Sequence, residues 1–236
     1  MVNEPENSKN TKHKIVPSCA TIAIRGCIIV FLLFACASFV IPWLSHWGKS
    51  NARHLHCQHK MREIARALES YHNRHGALPP AYSTDEHGNP LHSWRVLILP
   101  YLEDFEWSEW FELYENIRLD EPWDSDWNSQ FHKKWVGLFH CPSSSSITGH
   151  SSYYMVVDEA GKIVPESGIL FAERKETSIW MNPNHEIRVA DIKDGINSNP
   201  AGITSWHVQT SLFGTRTGGA NICTLEFEVQ WVPEQP

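Results

Sequence analysis

Hydrophobic positions change their spacing twice along the chain. Residues 27–44 read CIIVFLLFACASFVIPWL, apolar or small on every side of any helix they form. No Asp, Glu, Lys or Arg lies between Arg25 and Lys49. At about 1.5 Å of rise per residue the uncharged window 26–48 extends about 34 Å, against a hydrocarbon core of about 30 Å. Trp43 and Trp47 stand at one end of it, where indole rings favour the membrane interface. Pro42 falls late, where headgroup water can satisfy the carbonyl it frees. The window is expected to form a transmembrane helix, with a tail at 1–25 before it and an exported domain at 49–236 after it. A cleaved signal peptide is the alternative, since the basic n-region suits one. Against it, the apolar run is long and no small-x-small site precedes Lys49.

A helical period follows. Cys57, Met61, Ile64, Leu68, Tyr71 and His75 step by four, three, four, three and four residues, which is one seam of an α-helix. Arg62, Glu63, Arg66, Glu69 and Arg74 fall off the seam, where solvated charge belongs. Gly76 supplies a stop and Pro79-Pro80 forbids continuation. The run WRVLILPYLEDFEWSEWFELY, 94–114, predicts helices on either side of Pro100. LDEPWDSDWN, 119–128, reads as an ordered loop with a helix cap, and LFHCP, 138–142, brings Cys141 to a turn.

From Ser151 the period shortens. SYYMVV, GILFA from Gly168, IRVADI and NICTLEFEVQWV are β-prone runs, separated by the turn clusters DEAGK, DGINSNP and GTRTGG. The last run alternates over its whole length and predicts one half-buried strand with Cys223 on its apolar face. Helix first and strands after predict an α+β domain with a long helix packed on an antiparallel sheet.

Charge sets orientation and excludes one class of partner. Lys9, Lys12, Lys14 and Arg25 precede the apolar window, facing only Glu4 and Glu6, while the net charge of the 236 residues is −7. Positive-inside bias places the tail in the cytoplasm and the domain across an inner membrane, as a single-pass protein. An acidic domain without a basic stripe repels phosphate backbones, so nucleic acid is not an expected partner. No G-x-S-x-G elbow, P-loop or dinucleotide fingerprint is present, and no enzyme is expected.

Several segments together resemble a known family. Cys57 followed by QHKMREIARALESYHNRHGALPPAY, then SWRVLILPYLED, DEPWDSDWN, Cys141-Pro142-Ser143, SSYYMVV, VADIKDGINSN and GGAN have counterparts, in register, in a bacterial prepilin-like family of unknown function. That family is expanded in planctomycetes and is distantly similar to type IV pilins and type II secretion pseudopilins. The resemblance covers about residues 51–232 and implies a pilin-like fold. Two departures stand out. Arg25-Gly26 is followed by Cys27, and Phe31 occupies the place of the family's glutamate, which in pilin-like assembly pairs with a neighbour's terminal amine. The family's aspartate-glycine signature after GGAN is replaced by Glu226-Phe227. The chain thus looks like a derived member that kept the domain and exchanged the anchor.

The resemblance keeps both Cys57 and Cys141, making them the disulfide candidates; two buried free thiols are the alternative. A bridge would close a loop of about 85 residues, worth roughly 4–5 kcal/mol in the chain-entropy model. His54, His56 and His59 crowd Cys57, yet no H-E-x-x-H or CxxC spacing appears, and neither metal nor catalytic residues are expected. Asp120, Glu121, Asp124 and Asp126 form the densest acidic loop, a weak calcium candidate without EF-hand order. Among eleven Trp, Trp107, Trp110, Trp123 and Trp127 form a candidate binding face. The functional expectation is a non-enzymatic, membrane-anchored envelope protein of pilin-like type, acting through contacts with other pilin-like or envelope proteins in surface or secretion-related assembly. The alternative is a tethered extracytoplasmic module that binds solute or glycan.

Overall fold

The computed structural model describes residues 19–102, 109–134, 136–144, 148–192, 195, 199, 201–204, 207–210 and 216–234. Of residues 19–23, 25–26, 42–50, 109, 208–210 and 216 it describes the backbone alone. The chain divides into two units, Met1–His46 and Trp47–Pro236. Helix α1 runs Cys19–His75.

In the first unit, the side chains from Cys27 to Ile41 are almost all exposed, with Phe31, Phe34 and Phe39 between 73% and 80% open. Among the described residues no helix is long and apolar enough to cross a membrane. Of the expected span 26–48, the side chains of 26 and 42–48 lie outside the described residues.

In the second unit, the helical seam packs as its period demands. Cys57, Met61, Ile64 and Leu68 are fully buried and Tyr71 is half-buried. His75 departs from the expectation: it is exposed in the helix's last turn, its ring stacked on Tyr71 and its Nε2 2.7 Å from the Tyr101 hydroxyl. Gly76 ends the helix at φ +72°, donating its N–H to the His72 carbonyl. That left-handed backbone costs a residue with a Cβ about 1–2 kcal/mol.

A two-stranded ribbon follows, β1 (Tyr82–Thr84) against β2 (Pro90–Ser93). Ser93 then caps the short helix α2 (Trp94–Leu97) by accepting from the Arg95 N–H. Pro100 sits inside a 3-10 turn, Leu99–Tyr101, and α3 spans Glu109–Asn116. The loop 119–128 is ordered as expected. Asn128, fully buried, donates to the carbonyls of Arg118, Glu121 and Pro122, and Ser125 Oγ accepts its N–H.

The main sheet has six strands: β3 (His150–Val157), β4 (Ile169–Ile179), β5 (Ile187–Arg188), β6 (Val208–Thr210), β7 (Arg216–Thr224) and β8 (Val229–Pro233). The order is β5-β3-β4-β7-β6, with β8 also on β7. The sheet is mixed, not purely antiparallel: β5 lies parallel to β3. Two further expectations are corrected. Of IRVADI only Ile187–Arg188 is strand, and Val189–Ile192 coils into a 3-10 turn. The alternating C-terminal run is a hairpin, β7 and β8, because the chain reverses at Leu225–Phe227 with Phe227 at φ +62°. No Gly, Asn or Pro marks that turn, so the alternation concealed it.

Both sheet faces are covered. Tyr153, Met155, Val157, Phe171 and Cys223 share a core with Cys57, Met61, Ile64 and Leu68 of α1. Tyr154, Val156, Ala172, Ala220 and Ile222 point the other way and pack with Ile187 and Ile203. Two-sided burial is why SYYMVV reads as solid hydrophobicity.

Candidate functional site

Strand register builds a polar cluster on the α1 side of the sheet. Tyr153 of β3 lies opposite Glu173 of β4. Phe171 pairs with Cys223 of β7 and Ala172 with Ile222, which brings Asn221 beside Glu173. Alternation therefore turns Glu173 toward the helix, on the same face as Phe171. Above it, α1 presents His54 and Cys57 one turn apart. Cys141 enters just after the 3-10 turn Gly137–Phe139, its N–H donated to Ser152 Oγ, and His207 enters from the segment leading into β6.

The resulting contacts are dense. Cys57 Sγ lies 3.3 Å from Cys141 Sγ and 2.8 Å from the Tyr153 hydroxyl, and it donates to Glu173 Oε1. His207 Nε2 is 3.4 Å from Cys141 Sγ and 3.2 Å from Glu173 Oε1. Asn221 donates its backbone N–H to Glu173 Oε2 and its amide to both carboxylate oxygens, while Asn221 Oδ1 meets His54 Nε2 at 3.0 Å and accepts from Gln58. Cys57, Cys141, Glu173 and His207 are all buried, and their four donor atoms lie within 4.8 Å of one another.

Burial and pairing set the charges. Burial, reinforced by the contact with Cys141, pushes the Cys57 thiol far up. Its contact with Cys57 draws Cys141 down to about 6 against the opposing effect of burial, with His207 assisting. Burial alone would lower His207, but its bonds to Cys141 and Glu173 raise it to about 10. Burial likewise opposes ionisation of Glu173, and its bonds from His207, Cys57 and Asn221 still hold it below the usual range. A thiolate beside an imidazolium resembles the start of a cysteine nucleophile. A relay, however, sets the orienting carboxylate on the far ring nitrogen. Here Cys141 and Glu173 share Nε2, and Nδ1 faces Ser143 Oγ at 3.4 Å. The donors converge on one point instead of forming a line.

The residues singled out in the sequence are dispersed differently. The two disulfide candidates meet at the cluster, with no bond between their sulfurs. Trp107 lies outside the described residues. Trp110 and Trp123 are half-buried against the core, and Trp123 stacks on His132. Trp127 is exposed, its indole N–H donated to the Asn116 carbonyl and its face covered by the Arg118 guanidinium at 4.1 Å. Asp120, Asp124 and Asp126 are exposed, whereas Glu121 is engaged by Arg118 at 2.7 Å and by Ser125. The acidic loop therefore gathers no group of ligand atoms among the described residues. Glu173, His207, Asn221 and Tyr153 escaped sequence reasoning. The available signal was an acidic residue directly after the apolar run GILFA, in mid-strand.

The family comparison matches the part of the chain that carries most of α1's buried seam, β3, β4 and three of the four clustered residues, Cys57, Cys141 and Glu173. Residues 48–204 fit the model of the family described as "Protein of unknown function (DUF1559)", and the chain belongs to that family. No curated protein and no solved structure gives a significant match.

Proposed function

We propose that the chain is a non-enzymatic, membrane-anchored envelope protein of pilin-like type, acting through protein–protein contacts in surface or secretion-related assembly. The observation that carries this reading is the uncovered apolar stretch of α1. Ile28, Ile29, Val30, Phe31, Leu32, Leu33, Phe34, Phe39, Val40 and Ile41 are each about half or more exposed. Water does not tolerate such a surface on a stable monomer, and its natural environment is hydrocarbon or the same helix of a neighbour. Ser38, the one hydroxyl in residues 27–41, returns its hydrogen to the Ala35 carbonyl at 2.7 Å and so does not face lipid as an unpaired donor. The basic tail orients the domain outward. Phe31, without a carboxylate, favours lateral association over a filament register set by charge. Carbonate washing of vesicles tests the anchor, with the full chain expected to remain in the pellet. Release into the wash refutes it. Cross-linking in intact envelopes tests the contacts: adducts through α1 support them, and a chain recovered only as monomer counts against them.

A solute-binding reading has one observation behind it. Trp110 lines a groove of about 300 Å³ with His59, Lys60, Glu63 and Leu102, the lower end of ligand-pocket sizes. Ligand-dependent fluorescence abolished by Trp110→Phe would favour it over assembly.

A further inference from the structure

We propose that Cys57, Cys141, Glu173 and His207 form a closed, structural zinc site at the junction of α1 and the sheet. The donor set is two thiols, one imidazole and one carboxylate, all of them zinc ligands. Zinc holds sulfur at about 2.3 Å and nitrogen or oxygen at about 2.0–2.2 Å. A tetrahedron of those lengths separates its sulfurs by about 3.8 Å, sulfur from nitrogen by about 3.5 Å, and nitrogen from oxygen by about 3.3 Å. The corresponding distances are 3.3 Å between the sulfurs, 3.4 Å from Cys141 Sγ to His207 Nε2, and 3.2 Å from Nε2 to Glu173 Oε1. The sulfurs need to part only slightly, whereas Cys57 Sγ and Glu173 Oε1, now in direct hydrogen-bond contact, must separate by about 1 Å to admit the ion.

The surrounding shell is arranged as a ligand-orienting shell is. Asn221 holds Oε2 of Glu173 with its backbone N–H, at 2.8 Å, which aims Oε1 at the cluster. The second ring nitrogen of His207 faces Ser143 Oγ, so Nε2 is the nitrogen left for the metal. Tyr153 O–H reaches the Cys57 sulfur. Two thiolates and a carboxylate around Zn²⁺ leave one net negative charge. Lys60, fixed by the carbonyls of Gly137 and His140 at 2.7 and 2.9 Å, lies within electrostatic reach of both sulfurs and offsets it. Four buried polar ligands describe a closed structural centre, and buried charges of this density are ordinarily paired or metal-bound. Metal entry releases the two thiol protons and any proton held between Glu173 and His207. The competing state is a Cys57–Cys141 disulfide, which needs a two-electron oxidant to remove two protons and two electrons. The two states exclude one another.

The test uses the full chain in detergent, isolated with a reductant free of metal-chelating groups. About one zinc per chain is expected after dialysis, and Co²⁺ added to the stripped protein should give the visible d–d and near-ultraviolet sulfur-to-cobalt bands of a tetrahedral thiolate site. Cys57→Ser, Cys141→Ser, Glu173→Gln and His207→Gln should each weaken zinc binding more than tenfold, and Asn221→Ala by about 10–100-fold. Cys223→Ser should leave it unchanged. Should any ligand variant fail to fold, the cobalt spectrum of the wild-type chain still decides. The proposal is overturned if the reduced wild-type chain takes up neither metal or gives an octahedral spectrum. It is equally overturned if thiols blocked at lysis reveal Cys57 and Cys141 already linked in the native envelope.

Discussion

The Arg95–Glu186 pair offers the sharpest test of how the domain is fastened. Both side chains are nearly inaccessible, and Arg95 Nη1 meets Glu186 Oε1 at 3.0 Å. Arg95 also donates from Nε to Ser151 Oγ and the Tyr153 carbonyl, and from Nη1 to Ser93 Oγ. Its guanidinium lies 4.8 Å from the rings of both Trp94 and Tyr154. Glu186 Oε2 accepts the Met155 N–H. One pair thus joins α2, β3 and the segment entering β5. Burial raises the Glu186 carboxyl above its ordinary range despite the attraction of Arg95. The two partners should consequently fail differently. Glu186→Gln keeps the shape but leaves a guanidinium that cannot shed its proton, costing about 3–5 kcal/mol of a total of about 5–15 kcal/mol. Arg95→Met leaves a carboxyl that can neutralise itself. Its folded pKa then climbs further above the unfolded value, so the penalty shrinks as pH falls toward about 4.5. The recovery is up to about 1.4 kcal/mol per pH unit. Urea unfolding of the full chain in detergent, followed by the fluorescence of buried Trp94 and Trp180, measures both variants at pH 7.5 and 5.5. Equal pH dependence of the two variants, or a Glu186→Gln cost below about 1 kcal/mol, would refute the reasoning.

Three further outcomes follow from named contacts. Phe227 holds a left-handed conformation while its half-buried ring packs on the core. Phe227→Ala should cost about 2 kcal/mol and Phe227→Gly about 1 kcal/mol less, an ordering that chemical denaturation would show inverted if the turn were unstrained. His92 is fully buried, with Nδ1 unpartnered among the described residues, and burial lowers its pKa. A folded value below the unfolded one gives stability that is complete above about pH 6.5 and fades as pH falls, by at most about 1.4 kcal/mol per unit. Thermal midpoints at pH 7.5 and 5.5 should converge in His92→Gln, and an unchanged gap would exclude His92 as the source. Leu68, fully buried between helix and sheet, should cost about 2–5 kcal/mol as Ala, read from the urea midpoint at unchanged slope.

Much of the fold was legible because period and burial agree. The seam from Cys57 to Leu68 is buried as its spacing requires, and Gly76 stops the helix where a positive φ is needed. Failures fall where local sequence carries no mark of the three-dimensional event. His75 keeps the seam's period yet is exposed, in the last turn of α1. The hairpin at Leu225–Phe227 lacks the residues that ordinarily announce a turn, so two strands read as one. The parallel β3–β5 pair depends on the chain leaving interior strand β4, passing β3 and rejoining the sheet on the outer side of β3, which alternation does not encode.

The polar cluster was half legible for a related reason. Cys57 stood out because a helical seam pointed it inward, and Cys141 because a turn and a resemblance drew attention to it. Glu173 and His207 are 34 residues apart and 116 and 66 residues from their respective sulfur partners. Only sheet register brings them together, and register is a property of pairing, not of any one strand. Once Tyr153 is paired with Glu173, however, the polarity of that position stops being an anomaly. An ionisable residue in a strand buried on both faces is costly unless something neutralises it. Asn221, His207 and the two sulfurs are that something, so the cluster is where the domain departs from an apolar helix-on-sheet core and where its specific chemistry is concentrated.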